Sequence, residues 1–208
     1  MFKTRSLYFA YNERTSFHFP DIDLESGEDI LILGESGIGK STLLHLMSGL
    51  LRPVSGSVEL MGIKLNKLSV GKSDHFRGKH IGLVFQRSHF ISALSLQENL
   101  ALIQYLAGKK PDKTRIREVL KSLGISDKQN NKPYQLSQGQ QQRAAIALAV
   151  VNNPQLLLAD EPTSSLDDKN CRKVVALLKE QALVTGAALI IITHDQRLKA
   201  RFKNTLQL

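Results

Sequence analysis

Gly34-Glu35-Ser36-Gly37-Ile38-Gly39-Lys40-Ser41 is the stretch from which the rest of this chain can be read. It fits the pattern G-x-x-x-x-G-K-[ST], and its surroundings fit too. The apolar run Ile30–Leu33 leads straight into it, as a buried parallel strand would. Leu43, Leu44, Leu46, Met47 and Leu50 follow at helical spacing from Lys40 to about Leu51, where Arg52-Pro53 should end the helix. Strand, glycine-rich loop and helix in that order make a phosphate cradle. The glycines let successive backbone N–H groups converge on phosphate oxygens, and the positive end of the helix adds to the attraction. Lys40 supplies a point charge for the β and γ phosphates, and the Ser41 hydroxyl is placed to ligate Mg²⁺. Gly34 through Ser41, with Thr42 next to them, are the expected nucleotide-binding residues.

Leu156-Leu157-Leu158-Ala159-Asp160-Glu161 gives the loop its partner. An apolar strand that ends in carboxylates puts negative charge at the same sheet edge. Asp160 is expected to hold Mg²⁺, and Glu161 to polarise an attacking water as general base.

Elsewhere, strand-like and helix-like segments alternate. Leu7–Tyr11, Phe17–Phe19, Ile22–Leu24 and Ser57–Leu60 read as strands near the N-terminus, and Ile81–Phe85 and Leu189–Thr193 as later ones. Leu96, Leu100, Ile103 and Leu106 recur at helical spacing, as do Ile116, Val119, Leu120 and Leu123, with a break at Gly108–Pro111. Further helices are expected over about Gln138–Val151 and Lys169–Leu183. This predicts an α/β protein with a mainly parallel sheet flanked by helices and right-handed crossovers. An antiparallel β part should precede it. A helical subdomain over about 95–151 should interrupt a core made of about 1–94 and 152–208.

At 208 residues and 42% apolar composition the chain suits one substantial core. No apolar run approaches the roughly 20 residues of a membrane span, and the N-terminus lacks the apolar centre of a signal peptide. The single cysteine, Cys171, cannot form an internal disulfide, so a cytoplasmic setting is expected. The net charge of +9 is spread along the chain, without a dense basic run or interleaved aromatics to suggest nucleic acid.

Leu136-Ser137-Gln138-Gly139-Gln140, followed by Gln141-Gln142-Arg143, resembles the signature motif of ABC-type ATPases, usually Leu-Ser-Gly-Gly-Gln, with Gln138 as a departure. Other landmarks of that family follow the same order. Gln86 resembles the Q-loop glutamine, which touches metal or water. Ser164-Ser165-Leu166-Asp167 resembles the D-loop, His194 the switch histidine that bonds the γ phosphate, and Tyr11 the aromatic that stacks on adenine. Ile81–Gln86, Glu98-Asn99-Leu100 and Gln138–Ala147 look like the branch serving lipoprotein release, macrolide export and cell division, although polar amino-acid importers share much of this.

The resemblance implies a P-loop NTPase of ABC type that hydrolyses ATP with Mg²⁺. Two such chains, identical or similar, would face head to tail. Ser137, Gly139, Gln140 and Asp167 would then serve the nucleotide held by Lys40 of the opposite chain, while Glu161, His194, Gln86 and Lys40 carry the catalysis. The expected partner is an integral membrane permease, with this chain at the inner face of the cell membrane and no nucleic acid. The alternative is a soluble ABC-type ATPase acting on DNA or ribosomes. Against it stand the lack of a heptad pattern and the presence of one ATPase unit rather than two.

Overall fold

A computed structural model describes residues 1–86, 89–164 and 166–208. Three strands come first: β1 (Phe2–Asn12), β2 (Thr15–Phe19) and β3 (Ile22–Leu24). β4 (Asp29–Leu33) then leads through the glycine-rich loop into α1 (Lys40–Met47). β5 (Ser55–Leu60), β6 (Ile63–Lys64), α2 (Val70–His80) and β7 (Ile81–Val84) follow. Next come α3 (Leu96–Leu106), α4 (Lys113–Ser122) and α5 (Gln138–Val150). The chain closes with β8 (Leu156–Asp160), α6 (Asp168–Thr185), β9 (Ala188–Thr193) and β10 (Thr205–Gln207).

Two sheets organise these elements. One is antiparallel, in the order β2-β1-β5-β6 with β3 also paired to β1; the other is parallel, in the order β10-β4-β9-β8-β7. The long apolar runs of the parallel strands are explained by burial on both faces. Ile32, Leu156, Leu158, Ile190 and Ile192 pack with α1 and with Phe2, Leu7, Val58 and Leu60 of the antiparallel sheet. Their neighbours Leu31, Leu157, Leu189 and Ile191 face the opposite way, into a core shared with α3 to α6. α1 is therefore clamped between the sheets, with Leu43, Leu44, Leu46 and Met47 all buried.

Registry sets the position of the site. Leu33 lies opposite Thr193, and Asp160 opposite Ile192, so β4, β8 and β9 end side by side. The loop after Leu33, the pair Asp160-Glu161 and His194 thus leave the sheet at one edge, where α/β sheets place their ligands.

Several elements differ from the sequence expectation. α1 stops at Met47 rather than Leu51, because the chain folds back and the N–H groups of Leu50 and Leu51 both donate to His45 O. α2 carries no apolar stripe, and Ser73 is its one buried residue. Polar links hold it instead: Arg77 to Gly49 O at 3.3 Å, and Asn152 Nδ2 to Gly78 O at 2.9 Å. β10, three residues long, completes the parallel sheet against β4.

Candidate nucleotide site

Gly39 is the cap residue of α1, with φ 100 and no side-chain cap hydrogen bond. That backbone conformation favours glycine, and a Cβ here would stand 2.7 Å from Phe17 Cδ1. The first N–H groups of α1 therefore open toward the loop with no side chain competing for them. Lys40 is buried beneath the loop. Its Nζ donates to Gly34 O at 2.8 Å and Glu35 O at 2.9 Å, and lies 3.5 Å from Glu161 Oε1.

Ser41 Oγ donates to Asp160 Oδ2 at 3.1 Å. The other oxygen, Asp160 Oδ1, is buried without a hydrogen-bond partner among the described residues. Burial pushes the Asp160 carboxyl above its ordinary range; the Ser41 hydroxyl pulls it back, and the nearby Glu161 charge adds to the rise. A buried carboxylate with one free oxygen and a hydroxyl alongside suits a hard cation, which would favour the ionised form.

Glu161 has φ 46, an uncommon conformation for a residue with a side chain, and its N–H donates to Ile192 O at 2.8 Å. Such backbone strain, of order 1–3 kcal/mol, collects at functional sites. The Glu161 carboxylate is held from several sides. Thr193 Oγ1 donates to Oε2 at 2.8 Å, His194 Nδ1 to Oε1 at 2.9 Å, and the His194 N–H to Oε1 at 3.2 Å. As a carboxylate accepts only, Nδ1 carries the proton in this contact.

A cleft of about 350 Å³ brings these groups together, lined by Ser36, Gly37 and Gly39 through Thr42, and by Gln86, Glu161, His194 and Phe17. Gly34, Glu35 and Ile38 shape the loop without lining the cleft. Tyr11 is exposed beside it, sharing a 3.2 Å hydrogen bond with Thr42 Oγ1.

Ser137, Gly139, Gln140 and Asp167 do not line the cleft. Ser137 caps α5 in a capping box: Gln140 N donates to Ser137 Oγ at 3.4 Å, and Ser137 N to Gln140 Oε1 at 2.9 Å. Asp167 caps α6 through Asn170 N at 2.8 Å. Ser165 of the expected D-loop lies outside the described residues. Among the described residues, α5 is tied to the chemistry by Gln142 Nε2, which donates to Pro162 O at 3.1 Å, next to Glu161.

The sequence reading missed Phe17, Thr193 and the Asp195–Arg197 pair. Thr193 appeared only as the end of a buried strand. Asp195 accepts from Thr163 Oγ1 at 3.3 Å, and Arg197 bonds both Asp195 and Asp168, joining the segments after β8 and β9. No local pattern marks such cross-links.

The ABC transporter family profile matches residues 18–164. The chain belongs to that family. It is similar to MJ0796, a bacterial ABC transporter cassette solved as a dimer, with 33% identity and a TM-score of 0.88, covering 100% of this chain and 94% of that one. MJ0796 has also been solved in a post-hydrolysis state with ADP and Pi. Similarity extends to cbiO1 from Clostridium perfringens, part of the ABC transporter complex cbiONQ, at 30% identity and TM-score 0.87, covering 99% and 83% of the two chains. This ABC cassette is thus an ATP-binding ATPase.

Proposed function

We propose that the chain is the motor of a membrane transport or mechanotransmission complex, working as a dimer with two ATP molecules at the interface. The observation carrying this reading is the division of the motifs. Lys40, Ser41, Glu161, Gln86 and His194 meet at one cleft, with Asp160 hydrogen-bonded to Ser41 behind it, whereas Ser137, Gly139, Gln140 and Asp167 stand outside it. A second chain facing head to tail would bring its Ser137–Gln140 helix start to the phosphates, and the dimeric structure of MJ0796 supports a two-chain assembly. The two halves of the family motif set would then make one site between them.

Within that site, the loop N–H groups and Lys40 hold the β and γ phosphates, and Thr42 lies nearer the nucleoside. Ser41 and Asp160, with Gln86 near, would hold Mg²⁺, which when bound neutralises phosphate charge. Among the described residues no three His, Cys, Asp or Glu cluster as a metal site, so triphosphate oxygens would supply further ligands. Glu161 orients and deprotonates the attacking water once the triphosphate takes over Lys40 and His194, its present partners. His194 then bonds the γ phosphate.

A groove of about 600 Å³ between α2, β7, α3 and α5 supports a membrane partner. Its walls include Ile81, Leu83, Phe85, Ile103 and Leu148, and exposed Leu106 also faces it. It suits an apolar helical segment of a permease. No described helix is long and apolar enough to cross a membrane, so a spanning function would come from such a partner. Residues 95–151 would move as the lobe between groove and signature, with the Gln142–Pro162 bond carrying the motion.

The composite site is tested by mixing two inactive proteins, Lys40→Ala and Ser137→Arg. A mixed dimer holds one site with both defects and one with neither. ATPase activity should return on mixing under dimer exchange, and no recovery would rule out sites shared between chains.

A further inference from the structure

Thr193 and His194 hold the Glu161 carboxylate, and Thr193 is held in turn. Its Oγ1, which donates to Glu161 Oε2, accepts from the N–H of Asp195 at 3.0 Å. The Asp195 side chain is only 11% exposed, and its Oδ2 accepts from Thr163 Oγ1 at 3.3 Å, two residues beyond Glu161. Asp195 thus ties the chain just after β8 to the chain just after β9. Arg197 grips this carboxylate as a fork, Nε to Oδ1 at 2.8 Å and Nη2 to Oδ2 at 2.7 Å, and its own N–H donates to Oδ1 at 3.0 Å. The same guanidinium also donates to Asp168 Oδ1, and to Leu166 O at 3.3 Å. Only a planar group with several fixed donors can bridge three acceptors in this way. Arg197 also holds the Asp195 carboxyl below its ordinary range, so the junction keeps its charge.

The outer half of this arrangement adds little to stability, because the side chains of Arg197 and Asp168 are 46% and 70% exposed. What it fixes is geometry. We propose that Arg197 is a positioning residue for hydrolysis: by clamping Asp195 to Leu166 and Asp168 it keeps the ends of β8 and β9 in one alignment. Thr193 then aims the Glu161 carboxylate at the attacking water, and His194 meets the γ phosphate. Arg197 does not line the cleft, so it acts through Asp195 and Thr193 and not on the nucleotide. This rests on the general-base role of Glu161 proposed above.

The test measures phosphate release against ATP concentration, beside equilibrium ATP binding. Arg197→Ala should lower kcat about tenfold, a fraction of the roughly hundredfold that a 1 Å misplacement can cost, and leave KM and ATP affinity within about twofold. A raised KM with kcat intact would make Arg197 a binding residue, and no change in either would make it a surface ion pair; both overturn the proposal. Arg197→Lys keeps the charge and loses the fork, so it should stay closer to Arg197→Ala than to the parent. Full activity in that variant overturns the clamp in favour of charge alone. Asp168→Ala removes one anchor at an exposed position, which keeps the test open should Arg197→Ala fail to fold. It should lower kcat about threefold, since Leu166 O remains, and the double variant should be no slower than Arg197→Ala, as expected of residues acting as one unit. Parental turnover in Asp168→Ala, or losses that multiply in the double variant, overturn the clamp. Glu161→Gln separates this from the underlying reading. If it is inactive while the Arg197 and Asp168 variants turn over normally, the base stands and the clamp falls. If Glu161→Gln itself turns over normally, both fall.

Discussion

Two helix starts in this chain, those of α1 and α5, share glycine and a hydroxyl residue, yet their structures differ. α1 begins at Gly39, which carries no side-chain cap, and its first turn opens into a cleft already holding Lys40, Ser41 and Glu161. α5 begins at Ser137, whose hydroxyl and Gln140 close a capping box outside the lining of that cleft. An anion reaches the N–H groups of the first helix without breaking a side-chain cap. At the second it must compete with a long 3.4 Å cap bond. Similar local residues therefore give an open helix start beside catalytic groups in one place and a closed capping box in the other. The deciding factor is which strand ends stand nearby, a property of sheet order rather than of either motif.

The strongest way to sharpen the contrast is to remove chemistry from the α1 cleft without disturbing its shape. Glu161→Gln keeps the volume of the side chain and an acceptor for Thr193 and His194, but cannot take a proton from water. Turnover should fall by about 10²–10⁴-fold, the usual worth of a positioned general base, while ATP affinity stays within a few-fold. Phosphate release measured beside equilibrium ATP binding checks this. Steady-state turnover near that of the parent would remove Glu161 from the role.

A smaller effect is expected from Gly39→Ala, which attacks the loop backbone. Alanine at φ 100 is strained, by about 1–3 kcal/mol, and its Cβ would press on the Phe17 ring. Thermal unfolding should shift down by roughly 2–4 °C per kcal/mol for a chain of this size, and ATP binding should weaken together with it. A variant as stable as the parent and binding ATP equally well would show that the uncapped, left-handed start is dispensable.

Much of this contrast was legible in the sequence, but unevenly. The loop, β8 and β9 announce themselves because burial on both sheet faces demands unbroken apolar runs such as Leu156–Ala159. The paired helices α3 and α4 show their stripes because one face is buried and the other wet. α2 was invisible, since a helix held by Arg77 and Asn152 bonds needs no apolar stripe. Site residues contiguous in the chain were named from the motifs that contain them. Phe17, Thr193 and Arg197 were missed because they act across gaps in sequence, through partners at Gly39, Glu161 and Asp168. The resemblance to a family supplied an order for Gln86, Ser137, Asp167 and His194; spacing alone would have left each as an ordinary cap or strand end.

The smallest expected effect on stability tests the α5 side and has the opposite sign. Gly139 lies in the first turn of α5 with no positive φ, and a Cβ there would meet nothing within 4 Å. Folding of this chain alone therefore gains from alanine, by about 0.5–1 kcal/mol at most, because glycine loses more backbone freedom in a helix. If α5 approaches the phosphates of a second chain, the same methyl group stands where the backbone must come close. Gly139→Ala should then unfold at a slightly higher temperature yet lose most ATPase activity, with monomeric ATP binding intact. A gain in stability with full activity would leave the α5 start as an ordinary capped helix, and the comparison with α1 would reduce to one of local backbone geometry. A gain in stability coupled to a loss of turnover finds no cause among the described residues, none of which comes within 4 Å of a Cβ at that position. It would place the reason for the glycine on the surface of another molecule.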